Sequence, residues 1–208
     1  DNDPTRKYPL VIFLHGSGER GRDNNAQLKW GVMNCASDEN MKKFPAFVIA
    51  PQCPLNMAWS NTTRGKNGEI VLQNSPSKPM QLLMDLIGDV IKKFHVDTTR
   101  IYITGLSMGG YGTFDALERY PDFFAAAVPV CGSGDVTKAS SIAHIPIWMF
   151  GGANDPSVNP NLLYDMVNAL VKAGAHPGFT EYPNVGHFSW IAAYNDAMMM
   201  TWLFSQHK

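Results

Sequence analysis

The stretch Arg100-Ile101-Tyr102-Ile103-Thr104-Gly105-Leu106-Ser107-Met108-Gly109-Gly110-Tyr111 decides the reading of this chain. An apolar run with strand character leads into G-x-S-x-G, and a helical pattern follows. This spacing predicts a sharp strand-to-helix turn with the Ser107 hydroxyl exposed at the end of a sheet. Gly105 and Gly109 keep side chains out of the crowded approach of strand to helix. The helix that follows offers unpaired backbone N–H groups and a positive dipole end, so the Met108 N–H is placed to stabilise an oxyanion.

Serine is a weak nucleophile and needs a base, which a third group must orient. For this turn the chain order is serine, acid, histidine. Asp155 follows the apolar run 145–150 and a Gly151-Gly152 pair, beyond the C-terminal end of an expected strand. Ligands bind at that end of open α/β sheets. His187 follows Gly186 at the start of the final helical segment. Asp155 and His187 are therefore the expected acid and base. Asp135, after the run 124–130, is the second choice of acid; Asp115 and Asp122 fall within or after the nucleophile helix.

The same alternation runs along the whole chain. Apolar runs at 9–14, 44–50, 100–104, 124–130, 145–150 and 178–182 read as about six strands. Helical periods at 80–94, 111–120, 161–173 and 188–206 separate them. The pattern predicts an α/β fold, a mostly parallel sheet with helices on both faces. Residues 51–79 break the rhythm and are read as a long active-site loop. Residues 1–208 are read as a single domain. The run Met198-Met199-Met200 is read as core filling.

The loop after the first strand, His15-Gly16-Ser17-Gly18-Glu19-Arg20-Gly21, is expected to supply the second oxyanion donor. Ser17 is the choice, through its backbone, with Gly18 as alternative. The loop also matches G-x-G-x-x-G, but no acidic residue ends the next strand to hold a ribose, so a dinucleotide site is disfavoured. His15 is expected to shape this loop. With Gly18 and Trp59 it is assigned to the substrate-binding side, Trp59 either stacking against a sugar or aromatic acyl group or packing the loop.

Composition narrows the class further. The 208 residues are 45% hydrophobic and 17% charged, with 17 basic against 18 acidic side chains and net charge −1. That is a globular composition without the basic excess of a nucleic-acid binder. No apolar stretch approaches the roughly 18 residues of a membrane span. Cys35, Cys53 and Cys131 lie far apart without CxxC spacing, so no metal site is expected and at most one disulfide could form. Asp1 is not an initiator Met, which is consistent with removal of a leader or N-terminal segment.

On the residues 8–21, 50–54, 105–110 and 186–187 the chain resembles the α/β-hydrolase superfamily. More narrowly it is similar to bacterial esterases of the phospholipase/carboxylesterase or "predicted peptidase" type, related to feruloyl esterases, acetyl xylan esterases and polyhydroxybutyrate depolymerases. The resemblance implies the triad Ser107, Asp155 and His187, no cofactor, and hydrolysis of short-chain or carbohydrate-linked esters, a serine peptidase being the alternative. The family commonly has two strands before the one at 9–14. They are missing here, so the chain is either a minimal hydrolase or begins inside a longer protein. A small ester or carbohydrate ester is the expected partner, without nucleic acid or membrane, and export is expected from such a substrate. A binding protein without a catalytic role would normally have lost a triad member, and none is lost.

Overall fold

The computed structural model describes residue 3 and residues 5–208. The strands are β1 (Tyr8–Leu14), β2 (Phe47–Ile49), β3 (Thr62–Arg64), β4 (Ile70–Leu72), β5 (Val96–Leu106), β6 (Ala126–Val130), β7 (Trp148–Gly152) and β8 (Gly178–Tyr182). The helices are α1 (Val32–Cys35), α2 (Asp38–Lys43), α3 (Lys78–Lys93), α4 (Met108–Arg119), α5 (Ala139–Ile142), α6 (Asn161–Lys172), α7 (Trp190–Tyr194) and α8 (Ala197–Ser205). Six strands form one sheet in the order β2-β1-β5-β6-β7-β8, and every pairing in it is parallel.

Strand β1 shows why the sheet is buried on both faces. All seven of its residues are buried. Successive side chains point to opposite sides of a strand. Leu10, Ile12 and Leu14 join one core with Met80 and Leu83 of α3, Phe114 and Leu117 of α4, and Leu163 and Met166 of α6. Val11 and Phe13 join the other, with Val32 of α1, Trp190 and Tyr194 of α7, and Met199 and Leu203 of α8. Each such side chain contributes roughly 1.5–3 kcal/mol by leaving water.

The structure departs from the sequence reading in three places. Residues 51–79 are not structureless. They contain the antiparallel hairpin β3–β4, and α3 already starts at Lys78, capped by Ser77 Oγ accepting from Met80 N. Three-residue strands are too short to show a period. The final helical segment is broken: a 3-10 turn at His187–Ser189 precedes α7, and α8 is separate. The cause is Asp196, whose extended backbone ends the helical path and whose carboxylate caps α8 at Met198 N. In the methionine run Met199 and Met200 fill the core while Met198 is exposed. Among the described residues all three cysteines are free and buried.

The turn that carries Ser107 follows β5, an inner strand of this sheet. A Cβ at Gly109 would stand 1.9 Å from the Leu14 carbonyl oxygen, and one at Gly105 2.4 Å from the Gly109 carbonyl oxygen. Backbone, not a flexible side chain, fills both spaces. Gly109→Ala therefore forces α4 off the end of β1. We expect it to cost about 3 kcal/mol or more, read as a lower urea midpoint than that of the parent chain. An unchanged midpoint would mean that the close approach is not obligatory.

Candidate active site

Ser107 stands between β5 and α4 with φ +54° and ψ −115°, a conformation that L-residues rarely adopt. Its N–H is held by the Val130 carbonyl at 3.0 Å, and its carbonyl accepts from Tyr111 N. The side chain makes no helix cap, so the hydroxyl is left for another partner.

That partner is His187, whose Nε2 lies 2.9 Å from Ser107 Oγ. On the other side of the ring, Nδ1 lies 2.8 Å from Asp155 Oδ2. An ionised carboxylate can only accept, so Nδ1 carries the proton and Nε2 is free to accept from the serine hydroxyl. Asp155 is buried, and its second oxygen accepts from Ser157 N at 2.8 Å and Val158 N at 2.9 Å. These bonds fix the carboxylate before it meets the imidazole.

The two loops that carry acid and base are tied together. Asn154 N donates to Val185 O, and Ala153 N to Tyr182 O. A Cβ at Gly152 would collide with the Gly186 and Val185 carbonyl oxygens, at 2.3 and 2.5 Å. The glycine pair after the apolar run thus extends β7 and lets the histidine loop lie directly on the acid loop. The alternative acids lie elsewhere. Asp135 is committed to Leu72 N and to Thr137, and Asp115 to Arg119 and Asn61 N.

Met108 and Ser17, the expected backbone donors, lie at the starts of two helical turns. Met108 opens α4, and Ser17 opens a 3-10 turn that follows Gly16. N–H groups in a first turn have no partner within their own helix. Gly16 packs against Leu106, which brings the turn after β1 beside the nucleophile turn. Gly18 lies on the exposed crest, with nothing within 4 Å of where its Cβ would be.

Two substrate-side assignments are corrected. Trp59 is only 2% exposed. Its Nε1 donates to His15 O, its ring meets His15 edge-on at 5.3 Å, and it fills the space beside Gly112. No ring face is left for a ligand. His15 is 1% exposed. Its Nε2 accepts from Cys53 N at 2.8 Å, so Nδ1 carries the proton and donates to Gly16 O at 2.6 Å. Burial lowers its pKa and keeps the ring neutral. Both side chains brace the turn that carries Ser17 and do not face substrate.

Sequence reasoning missed an aromatic wall beside His187. Trp190 meets the His187 ring edge-on at 5.1 Å, Phe188 lies 4.7 Å from Trp190, and Trp30 lies 6.2 Å from both. Phe188 is 57% exposed. Adjacency to His187 could have drawn attention to Phe188; nothing local marks Trp30, whose segment shows no clear period. Cys131 was missed too. Its thiol, the Asp155 carboxylate and a His187 ring nitrogen lie within 4.8 Å of one another. Burial pushes the thiol up to about 12, so it stays protonated, and His187 Nδ1 and Asp155 are spent on each other.

Known proteins share this fold. A solved structure described as a thermostable esterase superposes with a TM-score of 0.93 at 41% identity, covering all of this chain and 57% of that one. The chain has the α/β-hydrolase fold. The prolyl oligopeptidase family model matches residues 73–152. The chain is 24% identical over 164 residues to the bifunctional acetylxylan esterase/xylanase XynS20E of Neocallimastix patriciarum, covering 79% of this chain and 21% of that protein. It is 28% identical over 128 residues to poly(3-hydroxyalkanoate) depolymerase C of Paucimonas lemoignei, covering 60% and 28% respectively. It thus spans between a fifth and a third of these two relatives. A ferulic acid esterase structure, at 18% identity and TM-score 0.69 over 97% of this chain and 86% of that one, shares the fold.

Within this hydrolase fold the hairpin β3–β4 is held over α4 by buried charge. Arg119 pairs with Asp115 at 2.7 Å and donates to the Gln73 and Asn74 carbonyls. Asp115 accepts from Asn61 N and Asp135 from Leu72 N. Glu118 accepts from Asp135 N, and burial raises its pKa from 4.5 to about 9, helped by the nearby Asp135 and Asp115. The folded chain therefore keeps a proton on Glu118 that the unfolded chain loses near pH 4.5. The sign follows: this contribution to stability is complete below about pH 4.5 and is lost as pH rises towards about 9. Glu118→Gln, which stays neutral, should flatten the fall of the urea midpoint across that window. An identical slope in both proteins would refute the assignment.

Proposed function

We propose that this chain is a serine carboxylic-ester hydrolase working through an acyl-enzyme. The observation that carries the reading is the hydrogen-bonded line from Ser107 Oγ through His187 to Asp155, with both contacts below 3 Å. His187 Nε2 takes the serine proton as Oγ attacks the ester carbonyl. Asp155 holds the imidazole in the tautomer with Nδ1 protonated and stabilises the imidazolium that forms. The N–H groups of Met108 and Ser17 receive the developing oxyanion, each donor of this kind being worth about 2.7–4 kcal/mol. His187 then protonates the leaving alcohol, and water repeats the sequence on the acyl-enzyme. No step calls for a cofactor or a metal.

For substrate we favour short-chain or carbohydrate-linked esters, of acetyl or feruloyl type. The acetylxylan esterase activity of one relative and the ferulic acid esterase that shares the fold support this, as does the aromatic wall. An exposed Phe188 ring beside His187 offers a planar acyl or aryl group a stacking partner, worth about 0.5–1.5 kcal/mol beyond area. A polysaccharide ester as substrate would place the protein outside the cell, as an exported enzyme. No helix among the described residues is long and apolar enough to cross a membrane. The second reading is a serine peptidase, favoured by the prolyl oligopeptidase match over residues 73–152.

Ser107→Ala should reduce hydrolysis of p-nitrophenyl acetate by at least about 10,000-fold with the fold intact, and Asp155→Asn should cost a similar factor. Residual turnover near the parent rate in either would sink the triad assignment. Cleavage of peptide amides at rates equal to esters would move the reading to a peptidase. Phe188→Ala should lower kcat/KM for methyl ferulate up to about tenfold relative to p-nitrophenyl acetate. Equal effects on both esters would remove Phe188 from acyl recognition.

A further inference from the structure

A second, polar cleft adjoins the triad on the opposite face of the sheet from the aromatic wall. Trp190 belongs to the core under α7 and α8, whereas Leu163 of α6 belongs to the core under α3 and α4. The cleft, about 850 Å³, lies on this latter side, between the turn of the β3–β4 hairpin and the first turn of α6. That volume suits an extended ligand segment and exceeds what a bare acetyl group needs.

Two connections join the cleft to the nucleophile. Asp155 forms part of its wall. Arg64, on the hairpin, donates from Nη2 to Tyr111 Oη and lies over the Tyr111 ring at 5.8 Å; Tyr111 N in turn is bonded to Ser107 O. The hairpin itself is fixed by the buried Asp115, Arg119 and Asp135, so this wall is set before any ligand arrives.

The chemistry of the lining selects the ligand. Arg64 uses one N–H on Gly68 O and one on Tyr111 Oη, which leaves three of its five donors. Asn159 commits Oδ1 to Asn161 N and keeps its NH2 group to donate. Asn67 and Asn161 add amides that both donate and accept, and Glu69 and Asp165 add acceptors. Interleaved donors and acceptors match hydroxyl groups, each of which does both. The lining holds one guanidinium against three carboxylates, those of Glu69, Asp155 and Asp165, which disfavours phosphate and uronate ligands.

We propose that this cleft binds a neutral polyhydroxylated chain, the glycan portion of a carbohydrate ester, and holds it beside Ser107. Asn161 and Asp165 are its principal contacts, and Arg64 positions the chain toward the triad. The proposal rests on the esterase reading for its purpose but not for its test, because binding is measured without turnover.

The test is calorimetric titration of Ser107→Ala protein with xylohexaose, an uncharged sugar chain that carries no ester. Parallel titrations use an oligogalacturonide and a glucosamine oligomer, anionic and cationic chains of similar length. Xylohexaose should bind, the oligogalacturonide should bind at least about tenfold more weakly, and Asn161→Ala with Asp165→Asn should weaken xylohexaose about tenfold, the loss of one or two net hydrogen bonds. Both substituted positions are exposed, so the fold should survive, checked by circular dichroism. Absence of xylohexaose binding at millimolar concentration, or binding that the double substitution leaves unchanged, overturns the proposal. Tighter binding of the glucosamine oligomer, lost in the double variant, overturns it in favour of a cationic ligand. Hydrolysis of p-nitrophenyl acetate by the parent chain reports separately on the esterase reading.

Discussion

The backbone of α4 touches the end of β1, and the rest of the site depends on that contact. The Leu14 carbonyl occupies the space that a side chain at position 109 would need, and the Gly109 carbonyl the space at position 105. With helix and sheet this close, the chain between them has room for only one sharp turn. Ser107 takes the strained conformation at its apex. The strain is sustained because both neighbours are locked, β5 in the middle of the sheet and α4 in its core. The same closeness brings the turn after β1, where Gly16 packs on Leu106, beside the turn that leads into α4.

Around this centre, polar side chains give the connecting segments a fixed shape. His15 and Trp59 sit where a ligand-binding role is plausible from sequence, yet each spends its polar atoms inside the protein. Together they tie residues 53 and 59 to the turn that carries Ser17. Asp115, Arg119 and Asp135 do the same for the hairpin, satisfying backbone groups at Asn61, Leu72, Gln73 and Asn74. An unpaired carboxylate in such a place would be costly. Glu118 avoids that cost by keeping its proton.

Ser107, Asp155 and His187 follow the C-terminal ends of β5, β7 and β8, and the two faces below them differ. One presents aromatic rings next to His187, the other a polar cleft next to Asp155. A ligand that crosses the edge over Ser107 meets unlike surfaces at its two ends.

The sequence by itself determined the elements whose signals are local. Apolar runs marked the buried strands β1, β6 and β7, because burial on both faces demands continuous hydrophobicity, whereas the edge strand β8 interrupts its apolar residues with Thr180 and Glu181. The nucleophile turn was legible because its glycines are steric requirements of the turn itself. Asp155 and His187 were legible from chain order and from their place after strands; their distances were not. What only the tertiary structure decided were the pairings between distant residues. The hairpin in 51–79 exists because carboxylates from α4 and from the segment after β6 satisfy its backbone. Trp59 is buried because Gly112 leaves room for its ring, and the aromatic wall forms because the turn His187–Ser189 and the start of α7 carry Phe188 and Trp190 up to Trp30. Sequence spacing records what a residue needs from its neighbours along the chain, and burial and ligand contact depend on neighbours that folding supplies.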